Sequence, residues 1–509
     1  MCGIVGIFAR TASADAHSIS DEAKRMLSRL SHRGFSGLSK INAFDTFALG
    51  CVRLPIVDEM NAVQPMFSEK RRIALVFNGE IYNHETLRSI YLSEKKFITK
   101  SDTEVLANLI EVYGIEHTLS LLEGMFAFTV YDFVEKKYYI ARDILGIKPI
   151  YISDCSSKTL VASEIKAFDK DVDRVHELPP GHYYDSIKGI KKWKTSSQNI
   201  EGGLRELIVQ SVKEQVNTPL PVAVFLSGGI DSSVICYEAN QHHPDVTAFA
   251  IGKKDSTDML IAKRLCNDFN FKFEPIFIDE KEALNAIEET IFTIESFEPN
   301  HIRAGTLSYL LSRHVASRGY RIALCGEGAD ELFAGYPDFI ELLRNSNNDY
   351  SKLSTILSTF IDELYLTQLK RVDRTGMRFS LEVRPPFLSS PIISFANSLL
   401  SQEKLVYMDG VYITKYPLRE AYRGILPSYI VERIKSVFSE GAGFDTNGHH
   451  GPFWEFTKDK VSQDEIKEIQ NHYPEYSLKT HEEAYYFKIF QKYFNVDQIR
   501  PKRLLMSSV

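Results

Sequence analysis

The chain has 509 residues, of which 44% are hydrophobic and 25% charged, and its formal net charge is −7. This composition is typical of a soluble globular protein with room for roughly two to four domains of ~100–200 residues each. The acidic balance argues against a nucleic-acid-binding surface, and the sequence has no apolar run of the ~18 residues that a membrane span needs.

Six cysteines are scattered through the sequence without a Cys-x-x-Cys pair. This spacing argues against a disulfide framework and against a structural zinc site. We therefore expect free thiols and a cytoplasmic location.

The first residues, MCGIVGIF, place a cysteine at position 2. One interpretation is a buried thiol in an N-terminal strand. The other is that Met1 is removed, which leaves Cys2 with a thiol and a free α-amine. An α-amine has a pKa near ~7.7–8, so it can take the proton of the thiol at neutral pH and create a nucleophile. Position alone leaves both interpretations open.

The first ~190 residues predict a sheet protein with helices on its outer faces. Apolar and aromatic runs of β type alternate with amphipathic segments of helical period. The predicted strands cover residues 2–8, 46–52, 72–79, 125–132 and 136–143, and the predicted helices cover 18–34 and 102–114. The polar stretch KTSSQNIEGG, residues 194–203, predicts a linker.

From about residue 204 the sequence alternates between strands and helices. Each of the runs PVAVFL, VTAFAIG, FEPIFI and RIALCG is followed by a helical segment. Repeated β-turn-α units favour an open parallel sheet with helices on both faces. The region from ~340 onward is predicted to be mostly helical.

The stretch PVAVFLSGGIDSSVI, residues 221–235, predicts a phosphate-binding loop. A buried strand runs into glycines, and a helix then starts near Asp231. Glycines let backbone N–H groups approach a phosphate closely, and the helix N-terminus adds partial positive charge. The sequence is not a Walker A loop, and it resembles the pyrophosphate loop of the ATP pyrophosphatase superfamily. That resemblance implies that Asp231 helps to hold Mg²⁺, a role suited to a hard carboxylate.

A second turn, LCGEGADELFAGY, follows the same logic at residues 324–336. A strand delivers Cys325 and Gly326, Glu327 follows, and Asp330 lies at the start of the next helix. Either acidic residue could simply cap that helix. Beside a nucleotide loop, we favour Asp330 as the second Mg²⁺ ligand.

With both halves in view, the whole chain resembles the glutamine-dependent asparagine synthetases, from Cys2 to about residue 495. The resemblance implies an α/β protein of two domains. Residues 2–192 would form an αββα N-terminal-nucleophile hydrolase domain, a class II glutamine amidotransferase. Residues 204–509 would form a doubly wound parallel-sheet adenylating domain with a helical C-terminal part, which uses ATP and Mg²⁺. In this family, ammonia from glutamine passes through a tunnel and attacks an aspartyl adenylate.

The resemblance assigns roles in the glutaminase half. Cys2 would be the nucleophile, and Asn78 and Gly79 in FNGEIYNH would donate to the oxyanion, where one lost donor typically costs ~10²–10³ in rate. Arg53 in VRLPIVD would clamp the α-carboxylate of glutamine, a task suited to a guanidinium fork. The full implied glutamine-binding set is Arg53, Leu54, Pro55, Ile56, Val57, Asn78, Gly79, Glu80 and Asp102.

In the synthetase half, the resemblance places Lys435 near the adenylate, where a cation offsets developing negative charge. Glu327 would orient ammonia or take its proton. Asp231 and Asp330 would bind the metal, and Arg303 and Thr306 would bind the acceptor. The implied ATP-binding residues are Leu226, Ser227, Gly228, Gly229, Asp231, Ser232, Ser233, Ile251, Cys325 and Gly326, with Ile251 against adenine.

Several positions depart from the family pattern. HRGFSG stands where HRGPDG is usual, Ser389 replaces the aspartate after PFL, and KSVFSEG replaces KEQFSDG. PNHIRAGT, residues 299–306, stands in place of a loop that usually reads TTIRAST and is linked with holding aspartate. The changes cluster around the acceptor side. Two interpretations stay open: drift in an enzyme that amidates L-aspartate, or the same chemistry on another carboxylic acid, in specialised metabolism or surface-polysaccharide synthesis.

Three rival functions share parts of these patterns. A β-lactam synthetase-like cyclase would have lost Cys2, and a phosphoribosyl-pyrophosphate amidotransferase would lack SGGIDSS. A non-catalytic binding or regulatory protein on the same fold would need Cys2, Asp231 and Lys435 to have been retained without use. We expect small-molecule substrates, no nucleic acid and no membrane partner. The sequence leaves the oligomeric state open, with a homodimer as one candidate.

Overall fold

A computed structural model describes residues 2–10, 16–172, 174–193, 202–444 and 451–499. These residues form two compact units. The first comprises residues up to 193 together with 377–381 and 493–499, and the second comprises 202–376 and 382–492. Most of the predicted linker, residues 194–201, lies outside the described residues.

The first unit is built on two six-stranded sheets that pack face to face. Cys2, Ile4 and Phe8 alternate along the first strand and join the apolar core between the sheets, as the two-residue period of a strand requires. One sheet has the order β10-β8-β9-β1-β3-β2 and the other β12-β11-β7-β6-β5-β4. The strands are β1 (Cys2–Ala9), β2 (Ser39–Ala43), β3 (Phe47–Arg53), β4 (Met66–Phe67), β5 (Ile73–Ile81), β6 (Gly124–Asp132), β7 (Lys137–Arg142), β8 (Tyr151–Asp154), β9 (Lys158–Ala162), β10 (Val175–Glu177), β11 (His182–Asp185) and β12 (Gly189–Lys192).

Helices cover the outer faces of this sandwich. Helix α1 (Ala16–Ser28) packs against the sheet of β1, and α2 (His84–Tyr91) and α3 (Asp102–Leu121) pack on the sheet of β5. The first unit therefore has the four-layer αββα architecture that the sequence predicts.

The second unit contains a five-stranded, wholly parallel sheet. Its order is β15-β14-β13-β16-β17, so the chain winds outward from β13 in both directions. The strands are β13 (Val222–Phe225), β14 (Val246–Gly252), β15 (Lys272–Phe277), β16 (Ile322–Leu324) and β17 (Glu382–Arg384). The loops after β13 and β16 diverge at the carboxyl edge, where a doubly wound sheet opens a ligand-binding crevice.

The rest of the second unit is mainly helical, with a small hairpin of β18 (Val406–Met408) and β19 (Val411–Ile413). In the part of the chain that is described, no helix combines the length and apolar character needed to cross a membrane. The helices are α4 (Leu204–Gln215), α5 (Ile230–His242), α6 (Thr257–Phe269), α7 (Glu280–Asn285), α8 (Ile287–Ile294), α9 (Pro299–Ser317), α10 (Ala329–Phe333), α11 (Pro337–Asn345), α12 (Tyr350–Glu363), α13 (Gln368–Met377), α14 (Ser390–Ser398), α15 (Ser401–Lys404), α16 (Tyr416–Tyr422), α17 (Ser428–Val431), α18 (Phe438–Gly441), α19 (Pro452–Thr457), α20 (Gln463–His472) and α21 (His481–Tyr493), while α22 (Val496–Ile499) belongs to the first unit.

Two sequence expectations need correction. The segment PNHIRAGT is not a loop, because it forms the first turns of α9, where Pro299 occupies a first-turn position that needs no N–H donor. LEVR, expected to lie in a helical region, supplies β17 at the edge of the parallel sheet.

Candidate active sites

The first candidate site surrounds Cys2 at the start of β1. The backbone N–H of Cys2 donates to Oδ1 of Asn78 on β5 at 3.0 Å. The Nδ2 atom of Asn78 is buried and has no hydrogen-bond partner among the described residues. Asn78 therefore fixes the nitrogen of Cys2 with one atom and holds a free donor with the other, as an oxyanion donor requires.

The thiol of Cys2 is activated by its neighbours. A hydrogen bond from the Cys51 thiol lowers the pKa of Cys2 from 9.0 to about 6, against the opposing effect of burial. The backbone N–H of Leu54 and the charge of Arg53 act in the same direction. Burial raises the pKa of Cys51, so this thiol stays protonated and can donate. A thiolate is thus available at neutral pH for nucleophilic attack.

Arg33, on the turn after α1, supports the backbone of Cys2. Its Nε donates to the carbonyl of Cys2 at 3.0 Å, and its Nη1 lies 2.5 Å from Glu164 Oε1. Gln64 approaches from another side, with Nε2 3.8 Å from Sγ of Cys2. The sequence analysis gave no role to Cys51, Gln64 or Arg33. Of these three residues, only Arg33 lies in a segment already noted in the sequence, HRGFSG.

The remaining residues expected to bind glutamine lie at the end of β3 and in the segment after it, on β5 and at the start of α3. Arg53 donates to the carbonyls of Val57, Asp58 and Glu59, so it shapes the segment that follows it. Asp102 accepts from the backbone of Ile81 at 3.0 Å, which ties the start of α3 to β5. Leu54, Pro55, Ile56, Glu80 and Asp102 are buried, and Val57 is partly buried.

Gly79 needs to be glycine for two reasons. Its φ is +155°, and a Cβ atom would lie 2.1 Å from the carbonyl oxygen of Met125 on β6. The backbone N–H beside Asn78 is therefore held in a conformation that other residues rarely adopt.

The second candidate site lies in the crevice between the loops after β13 and β16. Asp231 and Asp330 approach each other there, and Gly326 permits this because a Cβ on it would meet Asp231 Cβ at 2.9 Å. Lys415 bridges the two carboxylates, with Nζ 2.6 Å from Asp231 Oδ2 and 2.6 Å from Asp330 Oδ1. Lys435 Nζ lies 2.8 Å from Asp330 Oδ2.

These charges perturb one another strongly. Burial alone would raise the pKa of Asp330, but the ammonium groups of Lys415 and Lys435 lower it to about 2. The pKa of Asp231 is raised, chiefly by burial, although Lys415 opposes this. The pKa of Lys435 is also raised, because the two carboxylates outweigh the burial of its ammonium. Two carboxylates and two ammonium groups thus lie together in a buried cluster.

Three cavities meet at this cluster, and Lys435 and Phe438 line all of them. The first, of about 110 Å³, is lined by ten predicted residues: Leu226, Ser227, Asp231, Ser232, Ile251, Cys325, Gly326, Glu327, Asp330 and Lys435. The second, of about 50 Å³, is bordered by Ser227, Gly229, Asp231 and four cationic residues, Lys415, Arg419, Arg433 and Lys435. The third, of about 290 Å³, lies between α9, α13 and the 435–439 segment.

The loop after β13 is organised by its own hydroxyls. Ser227 and Ser232 lie 3.1 Å apart through their Oγ atoms, and Ser232 also donates to the carbonyl of Gly229 at 3.2 Å. Gly228 has φ +72° and packs against Ile261. Ser233 is fully buried, and its side chain lines none of the three cavities.

The two predicted acceptor-binding residues are placed differently from expectation. Arg303 borders the third cavity, but its Nε donates to Glu482 Oε1 at 2.9 Å, and a second bond joins the same pair. Thr306 is fully buried and donates to the carbonyl of Ile302 in its own helix. It is not among the residues lining the third cavity, because it lies on another face of α9.

Only some of the departures from the family pattern line the third cavity. Asn300, His301 and Val437 line it. Gly305 instead lies against α8, where a Cβ would meet Ile294 Cδ1 at 2.2 Å. Ser389 precedes α14 and lines none of the three cavities, and HRGFSG lies in the first unit. The departures therefore do not all border the third cavity, and their clustering on the acceptor side stays a prediction.

The sequence analysis also missed Lys415, Arg433 and Arg371. Arg433 donates to the carbonyl of Ser227 at 3.1 Å and pairs with Asp258 at 2.6 Å. Arg371 Nη2 lies 2.5 Å from Glu327 Oε1 and thereby orients that carboxylate. Of these three residues, only Arg433 lies close in sequence to a predicted residue, because it precedes Lys435 by two positions.

Together, these two sites and folds define a glutamine amidotransferase unit and an ATP-dependent ligase unit in one chain. The glutamine amidotransferase domain family matches residues 1–201, and the asparagine synthase family matches residues 203–351 and 341–490. The chain belongs to the glutamine-hydrolysing asparagine synthetase family.

Curated relatives agree with this assignment over almost the whole chain. An asparagine synthetase [glutamine-hydrolyzing] 2 from Oryza sativa subsp. japonica is 31% identical over 97% of this chain and 86% of its own length. The asparagine synthetase [glutamine-hydrolyzing] from Zea mays is 32% identical over 98% of this chain and 87% of its own length. An asparagine synthetase [glutamine-hydrolyzing] 1 from Arabidopsis thaliana is 30% identical over 98% of this chain and 88% of its own length.

Proposed function

We propose that this enzyme uses ATP to adenylate a carboxylic acid, L-aspartate first among them, and amidates it with ammonia taken from glutamine. The observation that carries the proposal is the shared position of Lys435 on three adjoining cavities. The first cavity suits a nucleoside, the second suits a pyrophosphate and the third suits a carboxylic acid. The relatives' names supply aspartate as the first acid to test.

In the first unit, the Cys2 thiolate would attack the carboxamide carbon of glutamine. Asn78 Nδ2 and the N–H of Gly79 would hold the oxyanion. The α-amine of Cys2, with Met1 removed, would take the proton of the thiol and pass it to the amide nitrogen, which leaves as ammonia. Water would then hydrolyse the thioester to glutamate. The contact between Cys2 N and Asn78 Oδ1 supports this use of the amine, because it fixes the position of the base.

In the second unit, a carboxylate oxygen of the acid would attack the α-phosphorus of ATP, and pyrophosphate would leave. The cationic side chains of Lys415, Arg433 and Lys435 would neutralise the phosphates. Ammonia would then attack the acyl carbon of the adenylate, and AMP would leave. Glu327, oriented by Arg371, is suited to accept a proton from the attacking ammonia.

Asp231 and Asp330 fit a Mg²⁺ ion. The buried Oδ1 atom of Asp231 has no hydrogen-bond partner among the described residues, so a carboxylate oxygen is available. Two carboxylates, with water and substrate phosphates completing the coordination, are a common protein set for this ion. When bound, Mg²⁺ would supply further charge neutralisation to the leaving pyrophosphate.

The first test is pyrophosphate release by the purified enzyme with ATP, Mg²⁺, glutamine and L-aspartate, with asparagine measured alongside. Equal yields of the two products support aspartate as acceptor. Cys2→Ala should abolish the reaction with glutamine and spare it with added ammonia. Equal loss with both nitrogen sources would contradict two separate sites.

A second candidate is the same chemistry on a different acid. It is favoured by the state of Arg303, whose guanidinium is engaged by Glu482, and by Asn300 and His301 in the cavity wall. Glutaminase activity without aspartate-dependent pyrophosphate release would support this candidate.

A further inference from the structure

The third cavity has walls that the proposed chemistry does not use. Its near end is formed by Glu327, Asp330 and Lys435, where the adenylation chemistry would take place. We call a second set of its lining residues the far end: Asn300 and His301 on α9, and Gln368 and Arg371 on α13, of which Arg371 also contacts Glu327. An acid with its reacting carboxyl group at the near end would extend toward this far end.

Three polar atoms at the far end have no hydrogen-bond partner among the described residues. They are Nε2 of His301, Oε1 of Gln368 and Nε of Arg371. His301 is 7% exposed, so its free nitrogen is removed from bulk water. An unpaired polar atom in such a place is costly, so a bound molecule that supplies its partner would be favoured.

The neighbours of His301 and Gln368 fix what each can offer. Ser296 Oγ accepts from the backbone N–H of Glu298 and lies 3.4 Å from Nδ1 of His301, so its proton is available for Nδ1. The ring proton then resides on Nε2. Tyr336 donates to Glu331 and accepts from Nε2 of Gln368 at 2.7 Å, which leaves the amide oxygen of Gln368 as an acceptor.

The imidazole of His301 is neutral. Burial, together with the charges of Arg371 and Lys370, lowers its pKa to about 3. His301 thus offers one uncharged donor, and Arg371 offers a second donor whose charge is shared with Glu327. His301, Arg371 and Gln368 together present two donors and one acceptor.

We propose that His301 and Gln368 select the acceptor acid by binding its end remote from the reacting carboxyl group, His301 as donor and Gln368 as acceptor, with Arg371 as a second donor. This rests on the proposed function. These side chains would recognise an acid that carries an oxygen able to accept a hydrogen bond next to an N–H or O–H able to donate one. An α-amino acid such as aspartate offers it through its α-carboxylate and ammonium, and a hydroxylated acid offers it through its hydroxyls.

The experiment measures acid-dependent ATP–pyrophosphate exchange with four acids. L-Aspartate and L-malate carry both features, succinate lacks the donor, and a hexuronic acid is larger and hydroxylated. The variants are His301→Ala, His301→Gln, which restores a side-chain N–H, and Gln368→Leu. His314→Ala is the matched control, since it removes the same side chain from the same helix beside Glu274, outside the three cavities.

For the acid that supports exchange, His301→Ala should raise KM about tenfold, with kcat and the KM for ATP within about twofold of wild type. His301→Gln should recover most of this loss. Gln368→Leu should raise KM about tenfold for acids with a donor and leave succinate unchanged. The hexuronic acid as best substrate would identify a hydroxylated acceptor, and aspartate as best would identify an amino acid.

Two failures have different meanings. If wild type catalyses exchange but His301→Ala and Gln368→Leu leave the KM of the acid unchanged, the assignment of these residues is wrong and the proposed function stands. If no acid supports exchange in wild type, the proposed function fails, and this assignment fails with it. Because the two substitutions are independent, a folding defect in one leaves the other as the test.

Discussion

The ammonium of Lys415 lies 2.6 Å from Oδ2 of Asp231, although 184 positions separate the two residues in the chain. Lys415 has a left-handed backbone, with φ 55°, immediately before α16. This conformation, rarely adopted outside glycine and asparagine, directs the side chain into the crevice beside Asp330. Such strain at a functional position indicates that the surrounding structure holds it in place.

We predict that Lys415→Met destabilises the second unit by ~3 kcal/mol at pH 7, since removing one partner leaves buried carboxylates uncompensated. The two ammonium groups hold the pKa of Asp330 at about 2, below its ordinary 3.8. Their stabilisation is complete above pH ~4 and is lost as the pH falls toward 2. The difference in melting temperature between wild type and variant should therefore shrink on acidification.

The control for Lys415 is Lys272→Met. Lys272 makes a 2.8 Å ion pair with Asp245, but both side chains are more than half exposed. Exposed pairs contribute little, so this variant should melt within a degree or two of wild type. A Lys415→Met variant as stable as Lys272→Met at pH 7 would contradict the prediction.

Cys51→Ala should raise the pKa of Cys2, because the hydrogen bond that stabilises the Cys2 thiolate is removed. The acid limb of glutaminase kcat/KM should move from about pH 6 to higher pH. The alkylation rate of Cys2 by iodoacetamide should shift in the same direction. Cys51→Ser keeps a donor and should show a smaller shift, and Cys155→Ala, a thiol elsewhere in the unit, should show none. An unchanged pH profile in Cys51→Ala would refute the assignment.

Gly305→Ser, which installs the usual family residue, should destabilise the enzyme by ~1–3 kcal/mol through overpacking against Ile294. Ile294→Val removes the Cδ1 atom that the new side chain would meet. The double variant should therefore be more stable than the sum of the single effects, by at least ~0.5 kcal/mol in a double-mutant cycle. Strict additivity in chemical denaturation would show that the close approach of α8 and α9 is not the cause.

Local patterns predicted the strand that carries Cys2 and a strand of the parallel sheet that pairs with β13. VTAFAIG forms β14 over the seven residues expected, and CGIVGIF lies within β1. These runs are long, apolar and bounded by glycine or polar residues, so local preference and tertiary burial agree. By contrast, β17 has three residues and is a strand only because β16 pairs with it.

The site residues that were not predicted from the sequence were missed for a different reason. Cys51 reaches Cys2 only through the register of β1 with β3, and Lys415 reaches Asp231 only through the tertiary fold. Neither relationship leaves a local trace in the sequence. The helix at PNHIRAGT was missed for the opposite reason: Pro299 is a local start signal, but the resemblance to a family loop outweighed it.

Asn78→Asp separates the two jobs of Asn78. The substitution keeps an oxygen to accept from Cys2 N, but it replaces the unpaired Nδ2 donor with an acceptor. We expect kcat for glutamine hydrolysis to fall ~10²–10³-fold, the usual cost of one lost oxyanion donor, while ammonia-dependent synthesis is unchanged. Asn42→Asp on β2 introduces the same charge away from Cys2 and should keep wild-type kcat. If Asn78→Asp retained wild-type glutaminase activity, the donor to the oxyanion would have to be sought in the backbone alone, at Gly79.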